Sequence, residues 1–279
     1  MIRFEAALKT AVIAVLMIAL TPLIHSALGL LVSQEASITG EPTIPILLPF
    51  VCVQAVLMVV VFGQVKDHLP VAAGWSKGLL FGSFFLLAVQ VPSVFGVIAF
   101  EPGRDWEWFT PAKVANYSTL LGDTLVFLAV GTALGLLFPS RREAPPGLSR
   151  GLVSAMITGA VAFPLGLFGI VHLAFLALPL DDPNAPVGRS LWFDLIFYGA
   201  FFMTGLCLPW LHGVLRRIDG AAPLRRVLRS TALFGLLWLP VQNFMVVFGW
   251  EVGGALVFST LSMAPVFLVF ALSERLARE

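Results

Sequence analysis

Long apolar runs, parted by short polar clusters, set the pattern of this chain from end to end. Eight runs reach the length of about 20 residues that a helix needs to cross a bilayer. They lie at 10–32, 45–64, 78–100, 116–138, 151–178, 190–212, 230–250 and 254–273. The first follows Lys9 and ends in small residues, as a secretion signal does. Its length, and its counterpart in the mid-chain fifth run, favour a spanning helix over a cleaved signal. The pattern predicts an all-α, polytopic membrane protein with eight transmembrane helices.

Two of the runs resemble each other. Residues 79–96 read LLFGSFFLLAVQVPSVFG and residues 232–249 read ALFGLLWLPVQNFMVVFG. Aligned without a gap, seven of the eighteen positions are identical: Leu80/Leu233, Phe81/Phe234, Gly82/Gly235, Leu86/Leu239, Val94/Val247, Phe95/Phe248 and Gly96/Gly249. Gln90 falls opposite Asn243. These are the third and seventh runs, the placement expected of a 4+4 duplication. The sequence therefore predicts two tandem parallel four-helix repeats, at 1–140 and 151–279, joined by a linker at 141–150. An even number of spans per half gives both halves the same orientation, as in parallel-repeat carriers.

Composition sharpens the location. The 279 residues are 58% hydrophobic and only 12% charged, against about 25% charged in soluble domains. Fourteen of the 17 Lys and Arg residues fall on one side of the predicted spans, with Arg104, Lys113 and Arg189 on the other. By the positive-inside rule the basic side, with both termini, is cytoplasmic. The expected location is a cell membrane, a bacterial inner membrane or plasma membrane. Arg216, Arg217, Arg225, Arg226 and Arg229 form the densest basic cluster, an expected contact for anionic lipid headgroups. With no basic tail, nucleic acid is not an expected partner.

The outer loop 101–115, EPGRDWEWFTPAKVA, carries Trp106, Trp108 and Phe109. Such aromatics suit the headgroup region, and the loop is also a candidate docking surface for a protein partner. Gly74, Gly78 and Gly82 recur every fourth residue, as do Gly131 and Gly135, a spacing that lets membrane helices approach closely. Cys52 and Cys207 lie inside apolar runs and read as small fillers.

Polar residues inside lipid are costly and mark candidate sites. His25 and His172 occupy the first and fifth runs, equivalent positions under the repeat. Facing each other, they could share a substrate or ligate a haem b iron axially. Gln90, Asn243 and Gln54 are amides within spans, and Asp123 is the clearest intramembrane acid. His25, His172, Gln90, Asn243, Asp123 and Gln54 are thus the expected substrate- or pore-lining residues. HExxH, Walker, GxSxG and Rossmann patterns are all missing from the sequence, so neither an enzyme nor a metal or cofactor site is expected, haem b being the one cofactor that could apply. Three functions remain: a small carrier or permease with a polar site between the repeats, a non-catalytic membrane subunit or assembly factor, and a bis-histidine haem electron-transfer protein.

Overall fold

A computed structural model describes residues 2–29, 44–93, 111–140, 149–177, 198–217, 222–244 and 252–277. Every regular element among them is helical, and no strand occurs among the described residues. The helices are α1 (Ile2–Gly29), α2 (Ile44–Val65), α3 (Gly74–Phe85), α4 (Pro111–Leu137), α5 (Arg150–Ala177), α6 (Phe202–Arg216), α7 (Pro223–Phe244), α8 (Val252–Leu261) and α9 (Met263–Leu276). α8 and α9 are nearly continuous, because the Ser262 N–H still bonds the Phe258 carbonyl at 2.9 Å. Lipid offers no partners for backbone groups, so a chain this apolar must close its hydrogen bonds within helices.

Seven described helical stretches are long and apolar enough to cross a membrane: Phe4–Leu28, Pro49–His68, Gly74–Ser93, Tyr117–Leu137, Arg150–Ile170, Tyr198–Arg216 and Leu256–Leu276. The described part of α7 is not among them. It opens with Arg225, Arg226 and Arg229, and the expected span at 230–250 runs on into 245–250, outside the described residues. The outward faces are apolar. Leu23, Leu165, Ile157 and Leu136 are each more than 60% exposed, and only 11% of the first stretch is buried. Apolar surface on this scale belongs against lipid, and the chain is built as a membrane-embedded helical protein.

Two compact units divide the chain, Met1–Leu86 with Glu107–Gly147, and Leu87–Trp106 with Leu148–Glu279. In the first unit α3 lies along α4, and α1 packs against both α4 and α2. The glycine stripes make the α3–α4 seam. A Cβ on Gly74 would come within 2.8 Å of the Gly135 carbonyl oxygen, and one on Gly131 within 2.9 Å of the Gly82 Cα. The backbones touch where side chains would otherwise stand. Rings close the seam, with Phe85 against Phe127 at 4.7 Å and Phe62 against Phe81 at 5.4 Å between centroids. The Lys66 ammonium donates to the Pro139 carbonyl.

In the second unit α5 packs on α6 through Gly159 and Gly205, while α9 packs on α5, α6 and α7. Its core is aromatic. Trp238 is fully buried among Phe163, Phe201 and Phe234, and its indole N–H donates to Ser262 Oγ at 2.8 Å.

The chain passes from the first unit to the second within its third membrane helix. α3 gives way to a single π-helical turn at Leu86–Gln90 before the helix resumes through Ser93. Turns of this kind unsettle the regular hydrogen-bond ladder. Here the Ala88 carbonyl accepts from Thr204 Oγ1 of α6 at 2.8 Å, and Ser93 Oγ accepts from the Gln242 amide of α7 at 2.9 Å.

Candidate functional site

α1 and α4 bring His25 and Asp123 together. The His25 Nε2 lies 3.3 Å from Asp123 Oδ1, with side chains 26% and 14% exposed. Gly122 makes the room: a Cβ there would sit 2.7 Å from His25 Nε2. On its other edge, His25 Nδ1 lies 2.7 Å from the Thr21 carbonyl oxygen, and the Thr119 carbonyl is a further acceptor beside the ring.

These contacts fix a proton count. A carbonyl oxygen only accepts, so Nδ1 carries hydrogen and donates to Thr21. A neutral imidazole then presents the lone pair of Nε2 to Asp123. A bare carboxylate facing a lone pair at 3.3 Å is repulsive, so the contact requires one more proton, on Nε2 or on the carboxyl group. The pair is therefore either imidazolium with carboxylate or imidazole with carboxylic acid. Both are neutral overall and both hold a transferable proton. Intramembrane acid–histidine groupings of this kind are characteristic of proton pathways.

Gln54 of α2 is 1% exposed, and neither its amide nitrogen nor its amide oxygen has a hydrogen-bond partner. A buried amide with no partner costs about 1–3 kcal/mol.

The remaining expected residues belong to the second unit. His172 of α5 contacts Tyr198, with Tyr198 Oη 3.2 Å from Nδ1, and its ring lies 4.1 Å from that of Phe168. Gln90 ends the π turn. Asn243 is in the last turn of α7, and its side chain lies outside the described residues. The neighbouring amide Gln242 is the one bonded to Ser93. Both ring nitrogens of His25 are occupied, so an axial bond to iron would break its pair with Asp123 or its bond to Thr21. Most of the outer loop, 101–110, and most of the linker, 141–148, lie outside the described residues. No group of three or more His, Cys, Asp or Glu residues placed to hold a metal occurs among the described residues.

A second polar cluster lies where α6, α7 and α9 meet. Glu274, 4% exposed, accepts from Nε and Nη2 along one edge of the Arg226 guanidinium, with Nε at 3.2 Å from Oε2. His212 Nε2 lies 3.0 Å from Glu274 Oε2, and its Nδ1 lies 2.8 Å from Ser230 Oγ. The Arg216 Nε is 3.8 Å from Glu274, and its Nη1 donates to the Ala277 carbonyl at 2.8 Å. Neutral His212 satisfies this network completely: Nε2–H donates to the carboxylate and the Ser230 hydroxyl donates to Nδ1. The same residue types thus give opposite results. The Glu274 cluster closes without an extra proton, whereas the His25 pair requires one.

Glu274 and Ser230 escaped the sequence reading. The signal was a carboxylate in Ser273–Glu274–Arg275, at the end of an apolar run. Arg216 and Arg226, expected at headgroups, have Glu274 as a protein partner. No known protein family, curated protein or solved structure matches the chain.

Proposed function

We propose that the protein is a small membrane carrier that handles a proton at His25–Asp123. The observation that carries this reading is the hydrogen-bond geometry of the pair, which holds one exchangeable proton inside apolar helices. Gln54 adds a buried, unpartnered amide in the same unit, suited to a polar solute. Helix packing also supports two tandem four-helix repeats. The first unit pairs α1–α2, α1–α4 and α3–α4, and the second pairs α5–α6, α5–α9 and α7–α9. With α8 and α9 taken as one span, these three pairs correspond, while α6 also packs on α7 and α9. A non-catalytic subunit is the second reading, favoured by the self-satisfied Glu274 cluster.

The test uses proteoliposomes on a solid-supported membrane, challenged with amino acids, sugars, organic acids and monovalent cations under a pH gradient. Wild type is expected to move charge with at least one solute. Asp123→Asn keeps the shape but loses the carboxylate, and is expected to lower that response by about tenfold or more, the equivalent of one charged hydrogen bond. Nitrogen NMR of isotope-labelled histidine reads the pair directly, since Asp123→Asn removes the carboxyl group that either protonates or hydrogen-bonds Nε2 of the His25 ring. Equal responses from wild type and Asp123→Asn to every solute, with an unchanged His25 signal, would leave the subunit reading in its place.

A further inference from the structure

The ends of α7 and α9 carry a feature that the proton pair does not explain. An open groove of about 300 Å³ runs between them, lined by Pro223, Leu224, Val227, Phe267, Ala271, Glu274 and Arg275. Its floor is apolar, and the positions recur at helical spacing: 224 and 227 on one wall, 267, 271 and 274/275 on the other. Leu224, 62% exposed, leaves it open to the surroundings. One end is polar and carries an excess of positive charge. Among the described residues that line it the one carboxylate, Glu274, is matched by Arg226, with Arg216 at 3.8 Å and the exposed Arg275 beside it. Arg225, also exposed, stands in the first turn of α7. The positive end of the α7 dipole points to the same place.

We infer that this groove binds an anionic phospholipid, one acyl chain lying along Leu224, Val227, Phe267 and Ala271 and the headgroup phosphate meeting Arg275 and Arg225. Charge complementarity selects the occupant. The acidic group that would repel a phosphate is already paired with Arg226, so the arginines left over set the sign. An apolar floor running into a cationic end matches an acyl chain joined to a phosphate. The charge bias of the sequence assigns this end to the cytoplasmic leaflet, where anionic headgroups meet basic clusters.

Native mass spectrometry of the full chain tests the inference, with phosphatidylglycerol and phosphatidylcholine of identical acyl chains added in equal amounts. Two well-placed arginines predict that wild type retains phosphatidylglycerol over phosphatidylcholine by about thirtyfold. Arg225→Ala with Arg275→Ala is expected to bring the two lipids to parity. The Lys pair at the same positions keeps most of the preference and serves as the folding control, beside helical circular dichroism. Ala271→Trp fills the floor and is expected to lower retention of both lipids. Parity in wild type, or an undiminished preference in the alanine pair, would overturn the inference. So would displacement of the lipid by equimolar inorganic phosphate, or a polypeptide occupying the groove in the purified protein.

Discussion

His25 and Glu274 show how much the surroundings of one side chain decide. The sequence marks His25 and Asp123 separately, as polar residues in apolar runs, but nothing in either run says that they meet. Within the first unit the His25 ring meets Asp123 because Gly122 leaves space for an imidazole. A methyl group at that position lies within contact of Nε2, so Gly122→Ala is expected to part the pair. The histidine NMR signal should then shift as it does in Asp123→Asn, although both partners remain. Glu274 was illegible for the opposite reason: an acid at a helix end usually faces water, and only the docking of three helices buries it. Glu274→Gln removes the charge that Arg226 and His212 meet, and is expected to cost about 3–5 kcal/mol. Ser230→Ala removes one neutral hydrogen bond and should cost about 1 kcal/mol. Thermal melting in detergent ranks the two, and equal losses would show that the carboxylate is not the keystone of the cluster.

Among the helices, the most legible feature was the glycine spacing on α3 and α4, because a four-residue repeat reports a face without any knowledge of the partner. The structure sets those faces together. Gly78→Val places a branched side chain against the Gly131 and Gly135 backbone and is expected to destabilise the first unit by more than the about 1–3 kcal/mol of ordinary overpacking. A Cβ at Gly63 or Gly169 meets nothing within 4 Å, so alanine at either position should leave the melting temperature nearly unchanged. The π turn was not legible. A helix with one residue too many in a turn has the same apolar composition as a regular one.

For the molecule as a whole, helix content and membrane embedding follow from hydropathy alone, because lipid leaves an apolar chain few alternatives. The number of crossings is less direct. α7 begins with three arginines and carries Gln242 and Asn243 near its described end, which dilutes the apolar signal that marks the other seven stretches. Parity offers a test. Eight crossings would put both ends of the sequence on one side, and the arginine bias would make that side cytoplasmic. Fusions at Glu279 are therefore expected to give a fluorescent GFP and an inactive alkaline phosphatase. The same pair of reporters inserted in loop 139–149 should behave alike. Active phosphatase at Glu279 would reduce the count to seven and remove the tandem repeat.

The π turn also has a consequence in time. The ribosome delivers Ala88 116 residues before Thr204, and Ser93 149 residues before Gln242. When the third helix first enters the bilayer, the groups that will bond its second half have not yet been made. The two bonds from the later helices therefore close only after α6 and α7 have been made, so this part of the third helix is completed last.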